Sequence, residues 1–189
     1  MTQSVCMNAD TNRRLENIVR FGTIKTINPS KPIPRVIVNL GDIETPEIRC
    51  LNIRSGDDAT WDMPSANEEC VVISPCGDIG PTSFVLYGFY NDDHPAPSDD
   101  LNKKIRMFAD GCVIAYDVAA HHLSAVLPGG GTAQIVADVE IVGNLHVSKA
   151  ITAGDNISTP ADVKAGAISL KSHKHSGVQG GGSNTGVPQ

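Results

Sequence analysis

The sequence predicts an all-β protein with one short helix near its N-terminus, and three observations lead to this fold class. The 189 residues include 18 glycines and 12 prolines, which implies many turns and few long helices. Aromatic residues make up only 4% of the chain although 40% of it is hydrophobic, which favours a slender or repetitive β architecture over one large core. Short segments of alternating hydrophobicity recur throughout, as expected of strands. A chain of this length has room for one or two domains.

The only good helix candidate covers residues 10–20. Asp10 or Thr11 is placed to cap it, and Leu15, Ile18 and Val19 follow at spacings of three and four. We therefore expect an N-terminal helical segment over residues 1–20 that packs on a neighbouring domain or subunit.

The next part of the chain has the period of strands. Asn28-Pro29-Ser30 and Pro75-Cys76-Gly77-Asp78 are examples of the turn sequences that separate these strands. Five short strands within about 75 residues predict a small closed barrel of the OB type, and we assign this domain to residues 21–95. The predicted strands are residues 21–27, 35–40, 46–53, 68–74 and 83–90.

A linker, assigned to residues 96–105, follows the barrel. The preceding Asp92, Asp93 and His94 could be drawn as a metal cluster, but a run rich in proline and charge is more typical of a solvated linker. Residues 106–117 predict a hairpin around Asp110-Gly111, and residues 122–127 predict a further strand. His121 and His122 are adjacent and would face opposite sides of a strand, so we assign them structural roles.

From residue 133 to residue 170 the sequence is quasi-repetitive. Val142-Gly143, Ala153-Gly154 and Ala165-Gly166 mark a step of small residues every 11 or 12 positions. Short pieces with β-branched or small residues lie between these steps, which suits a β-helix with a narrow interior. One copy of this strip is too thin to bury itself, so residues 106–170 should need partner chains. Composition alone does not give their number.

Charge and composition exclude several classes of protein. The net charge is −6 without a dense Lys/Arg run, and the barrel loops are acidic, so an oligonucleotide-binding OB protein is disfavoured. Trp61 is then better explained as a core or interface anchor than as a base-stacking platform. The N-terminus lacks the apolar region of a secretory signal, and no apolar run approaches the ~20 residues that span a bilayer. The acidic loop residues are Asp42, Glu44, Asp57, Asp58, Glu68, Glu69 and Asp78.

Cysteine usage indicates where the chain is made. The five cysteines are odd in number and scattered, and they form no CxxC motif. They are expected to be free thiols in a protein synthesised in a reducing cytoplasm.

The stretch Ser172-His173-Lys174-His175-Ser176 carries the candidate site. In an extended chain His173 and His175 point to the same side, while Lys174 points away. Two imidazoles make a weak metal site, but three copies around an axis would supply six nitrogens, an octahedral set for one divalent metal. The simplest alternative is a solvated pair of histidines in a flexible tail. A metal-dependent hydrolase is disfavoured because residues 171–189 contain no carboxylate to act as a base, and Asp162 lies well upstream.

Several segments, taken in order, resemble one family. They are residues 15–24, 35–38, 71–78, 87–91, 173–175 and 177–179, together with the glycine-rich close that runs to residues 185–188. This ordered set resembles the baseplate assembly protein V family, the central spikes of contractile phage tails and of phage-tail-like bacteriocins such as R-type pyocins.

The resemblance implies a homotrimer with an OB-fold collar, an intertwined three-stranded β-helix over residues 106–170 and a pointed apex over residues 171–189. It implies that His173 and His175 of each chain bind one structural iron ion per trimer. The choice of iron comes from the resemblance and not from the ligands, since six imidazoles alone would also accept nickel or zinc. Calcium or chloride along the spike is a further implication without a clear ligand set. Such a protein is not an enzyme, and no stretch is long enough for the lysozyme domain of some larger relatives.

The resemblance also implies location and partners. The spike would be made in the host cytoplasm and assembled below the tail tube on the baseplate hub. It would then be driven through the target bacterial outer membrane when the sheath contracts. A type VI secretion spike is the related alternative, but such proteins usually carry a long hub region before the barrel, and only some 20 residues precede it here.

Overall fold

A computed structural model describes residues 2–174 of the chain, with side chains from residue 9 onward. The chain divides into two compact units, Met1–Ala133 and Gln134–Gln189. The first holds the helix, the barrel and a small sheet, and the second holds the repetitive segment and the histidine motif. None of the helices in the described part of the chain is long and apolar enough to cross a membrane.

The N-terminal helix, α1, spans Thr2–Asn17 and is longer than predicted. Asp10 and Thr11 lie inside it, so neither caps its start as the sequence suggested. The Asp10 carboxylate instead accepts hydrogen bonds from Arg13 at 2.6 Å and from Arg14 at 3.0 Å, the spacing of helical neighbours. The sequence offered Asp10 or Thr11 as the cap of this helix, so it did not reveal the part that precedes them.

The predicted closed barrel of five strands is confirmed. Around the barrel the order is β1-β2-β3-β5-β4, and β1 closes it by pairing with both β2 and β4. All strand pairs are antiparallel except β3 with β5, which are parallel. The strands are β1 (Val19–Asn28), β2 (Arg35–Asn39), β3 (Ile48–Cys50), β4 (Glu69–Ile73) and β5 (Phe84–Phe89).

Aliphatic side chains fill the barrel. The interior positions alternate along β2, where Val36 and Val38 are buried while Asn39 is exposed. Each of these branched side chains is small, so a five-stranded barrel can close around them with hardly any aromatic residues. The core cluster is Ile24, Val36, Val38, Leu40, Ile48, Cys70, Val72 and Val85.

The junction between α1 and the barrel differs from the prediction. Residues 18–20 were expected to be helical, but β1 begins at Val19, which pairs with Ile73 of β4. The Ser74 backbone N–H donates to the Ile18 carbonyl at 2.9 Å, so strand pairing takes over directly after the helix ends. Consecutive β-branched residues favour this extended conformation.

The second sheet of the first unit has three antiparallel strands in the order β6-β7-β8. They are β6 (Lys103–Met107), β7 (Val113–Asp117) and β8 (His122–Val126). The predicted hairpin around Asp110-Gly111 and the predicted strand after residue 121 are confirmed. β6 begins three residues earlier than expected, so residues 103–105 are strand and not linker.

The described part of the second unit has little regular structure. Two short strands, β9 (Lys164–Ala165) and β10 (Ile168–Ser169), form a hairpin, and the preceding segment is irregular in a single chain. Many apolar side chains of this segment are exposed, including Val136 at 88% and Val142 at 94%. The intertwined trimeric β-helix stays a prediction.

Candidate metal centre

The β9–β10 hairpin positions the first histidine of the motif. Gly166, with φ of +61°, lies in the two-residue turn that joins the strands. The Leu170 backbone N–H donates to the Val163 carbonyl at 2.9 Å and extends the hairpin by one further bond. The chain therefore doubles back just before it reaches His173.

A turn closed by Ser169 then presents His173. The His173 backbone N–H donates to the Ser169 carbonyl at 3.0 Å, and Nδ1 of the same residue lies 2.9 Å from the same oxygen. The imidazole is exposed to solvent. One carbonyl oxygen thus contacts both the backbone and the ring of the candidate ligand.

Two further side chains support this turn. The Ser169 hydroxyl oxygen accepts hydrogen bonds from the Ser172 backbone N–H at 3.0 Å and from the Ser172 hydroxyl at 2.9 Å. Oδ1 of Asp162 accepts from the Lys171 backbone N–H at 3.1 Å. A hydrogen bond from the Ser169 side chain is the largest cause that holds the pKa of Asp162 below its ordinary value.

Sequence reasoning missed this support. From the sequence, Asp162 is considered only as a base for hydrolysis and is placed too far upstream, but the hairpin brings its carboxylate back to the segment that carries His173. The Ala165-Gly166 step was the available signal, since a glycine between two short β-type pieces can make a tight turn. It was interpreted only as a repeat marker.

The second predicted ligand, His175, lies outside the described residues. Between residues 9 and 174, no group of three or more His, Cys, Asp and Glu side chains in one chain is arranged to hold a metal ion. The two-histidine set from each chain therefore remains a prediction.

The other histidines considered as ligands lie elsewhere. The His94 backbone N–H donates to Asn91 at 2.7 Å in the exposed segment that follows the barrel. His121 sits in a turn with φ of +52°, and His122 begins β8, with both residues exposed.

Four of the five cysteines are described, and all four are free thiols. Burial is the main cause that raises the pKa of Cys50 to about 11 and that of Cys70 to about 12. Protonated thiols shielded from solvent are poorly reactive at neutral pH, which fits a packing role for the half-buried Cys50 and the buried Cys70.

Trp61 is not a core residue, so that part of the prediction is wrong. It is 62% exposed and borders a cleft of about 470 Å³ beside Leu51, Ile53 and Leu86. Across this cleft Arg106 of β6 forms an ion pair with Asp62 at 2.6 Å, which ties the loop to the second sheet. The alternative prediction for Trp61, an interface anchor, is untested.

Basic residues pair with some of the acidic loop residues. Arg20 contacts Asp42 at 2.5 Å, and Lys25 contacts Glu44 at 2.5 Å. The hydrogen bond from Arg20 is the largest cause that lowers the pKa of Asp42. Basic residues on this side are thus engaged with carboxylates, which does not favour phosphate binding.

Comparison with known proteins gives two matches. The family described as GpV Apex motif matches residues 167–189, the segment that contains the β10 strand, His173 and His175. The spike protein of Escherichia phage P2 is 29% identical over an alignment of 204 residues, which covers 93% of this chain and 94% of the relative.

These findings give the class of protein. The chain is β-rich, with a closed barrel and a C-terminal apex sequence, and it is similar over nearly its whole length to a phage tail spike. The two matches support the resemblance inferred from the sequence, that to the gpV-like baseplate spikes.

Proposed function

We propose that this chain is the central spike of a contractile tail, a homotrimer that sits below the tail tube and pierces the target outer membrane when the sheath contracts. The observation that carries the proposal is the apex match at residues 167–189 at the end of an alignment that covers 93% of the chain. The spike would act mechanically, without catalysis. Its partners would be the baseplate hub and tube, and it would leave the host cytoplasm as part of the particle.

The exposed apolar side chains of the second unit support a trimer. Ile135, Val136, Val142 and Ile157 are each more than 70% exposed in the single chain. Burying apolar surface stabilises a folded or associated state by roughly 25 cal/mol per Å². The large number of exposed branched side chains therefore favours association with further copies of the chain. Winding three copies together would also protect the short strand edges of this region.

The residues available at the apex suit a structural metal. Two imidazoles per chain give six nitrogens in a trimer, and imidazole nitrogen is a good donor for iron, nickel and zinc. A site with all positions filled by protein ligands leaves none for water or substrate, as structural sites do. When bound, iron would supply a cross-link between three chain ends. His173 and His175 would hold it.

Native mass and metal content together test this proposal. Light scattering of the purified full-length protein should give three times 19.9 kDa, which is about 60 kDa. Elemental analysis of the same sample should give one iron per three chains. A monomer or dimer at working concentration contradicts the spike assembly, and a folded trimer without metal contradicts the metal site alone.

Position in the particle needs a separate measurement. Antibodies against the barrel, coupled to gold, should label intact particles at the tip below the tail tube. Labelling along the sheath or at the head would contradict the proposed location.

A further inference from the structure

We infer that Ser169 and Asp162 form a brace that fixes the imidazole of His173 in the tautomer with hydrogen on Nδ1, so that Nε2 is the metal-binding nitrogen. Ser169 and Asp162 are thus positioning residues for the apex. This inference rests on the metal-binding function proposed above and adds residues that no comparison assigns to it.

The tautomer follows from the chemistry of the contact. Nδ1 of His173 lies 2.9 Å from the Ser169 carbonyl oxygen, which can accept a hydrogen bond but cannot donate one. A hydrogen bond at this distance therefore requires hydrogen on Nδ1. In a neutral imidazole the lone pair then resides on Nε2, the form that a metal ion needs.

The position of the carbonyl is itself restrained. The Ser169 oxygen also accepts the His173 backbone N–H at 3.0 Å, which fixes the turn relative to the ring. On the other side of the same residue, the hydroxyl accepts two hydrogen bonds from Ser172. Removing the hydroxyl would loosen the turn while leaving the carbonyl in the chain.

Asp162 connects this turn to the hairpin. Its carboxylate accepts the Lys171 backbone N–H at 3.1 Å, two residues before His173. The Leu170 to Val163 backbone bond lies beside it, so the strand pair and the turn are held at two successive points. Outer contacts of this kind typically change metal affinity by about 10- to 100-fold.

The tautomer can be measured without metal. Full-length protein labelled with ¹⁵N-histidine and stripped of metal by a chelator should show the His173 Nδ1–H form in long-range ¹H–¹⁵N spectra. The His173→Gln variant identifies the signals among those of the six histidines. A dominant Nε2–H form at His173 would overturn the inference.

The brace is tested by Fe²⁺ titration of the stripped full-length protein under anaerobic conditions. Ser169→Ala and Asp162→Ala should each weaken Fe²⁺ binding by about tenfold with the oligomeric state unchanged. Ser158→Ala and Asp155→Ala are matched controls from the same unit, and their affinity should equal that of the unaltered protein. Asp155 makes only a local bond to the Asn156 backbone among the hydrogen bonds of the described residues.

The outcomes separate the two proposals. If the unaltered protein binds Fe²⁺ and the brace variants bind it equally well, the brace is wrong and the metal site stands. If the unaltered trimer binds no Fe²⁺, the proposed metal site is wrong, and with it the role of the brace.

Discussion

In the proposed spike, metal binding would depend on two side chains of each chain, His173 and His175. We expect His173→Ala combined with His175→Ala to abolish bound iron, because these two residues supply all six nitrogen ligands of the proposed trimer. The proposed trimer should remain assembled, since the exposed apolar side chains before the apex would hold it together. Elemental analysis and light scattering of the same sample measure both quantities.

His121→Ala combined with His122→Ala is the matched control, as these exposed histidines lie in the first unit. This variant should keep one iron per trimer. Failure of the His173/His175 variant to form trimers would mean that metal binding nucleates assembly, contrary to the division of roles proposed here.

Barrel stability depends on branched side chains that have no access to solvent. Ile24 is 0% exposed at the centre of the core, so Ile24→Ala should lower the free energy of unfolding by about 2–5 kcal/mol through lost burial and a residual cavity. Ile53→Ala removes the same atoms from a side chain that is 88% exposed and should change stability little.

Urea unfolding followed by fluorescence measures this difference, since the single tryptophan, Trp61, lies in the loop beside the barrel. Equal losses in the Ile24 and Ile53 variants would show that the barrel core is not where the structure places it.

The cysteines should differ sharply in reactivity. Burial raises the pKa of Cys70 to about 12, so almost no thiolate is present at pH 8, and the side chain is also fully buried. Among the four described cysteines, Cys76 is the exposed one and should react before Cys70 with a thiol reagent at that pH. Counting the modified thiols over time in folded and in urea-unfolded protein checks this. Rapid labelling of Cys70 in the folded protein would contradict the packing described.

At the scale of elements, α1 packs closely against the turn after β4, and Gly77 lies at this contact. A Cβ at Gly77 would lie 1.9 Å from the Arg14 carbonyl oxygen, and φ at Gly77 is +71°. Gly77→Ala should therefore cost about 1–3 kcal/mol, because the helix end must move and the residue adopts a strained conformation.

Gly56→Ala is the matched control, since a Cβ there would meet nothing within 4 Å. Thermal unfolding followed by circular dichroism compares the two variants. A Gly77 variant as stable as the Gly56 variant would mean that α1 does not pack against this turn.

Elements with a strong local pattern were predictable, and those that depend on distant partners were not. The alternation of Val36 and Val38 in β2 and the Asp110-Gly111 turn each encode their structure within a few residues. β3 was predicted to have eight residues but spans only Ile48–Cys50. Its length is set by pairing with β5, which follows some 35 residues later in the chain.

The sequence names candidate ligands but not the contacts around them. The HxH spacing singles out His173 as a candidate, whereas the contact of Asp162 with Lys171 requires the hairpin to form first. Similarly, nothing in the sequence showed that Trp61 would lie at a cleft tied by Arg106 and Asp62 and not in the core.

For the whole molecule, the central question is what covers the apolar side chains of the second unit. Val136 and Val142 are 88% and 94% exposed in one chain, so on a monomer their replacement by aspartate would be harmless. In an intertwined trimer the same change would place charges among packed apolar side chains, and a buried unpaired charge costs several kcal/mol. We therefore expect Val136→Asp combined with Val142→Asp to shift the mass in light scattering from trimer to monomer or to aggregates.

Ile53→Asp is the control for this change, because Ile53 has comparable exposure at 88% but belongs to a loop of the first unit. That variant should remain a trimer of about 60 kDa, three times the 19.9 kDa chain. If the Val136/Val142 variant is as trimeric and as stable as the Ile53 variant, the second unit does not bury these side chains between chains. The spike would then have to be held together by the first unit, and the β-helix predicted for residues 106–170 would be wrong.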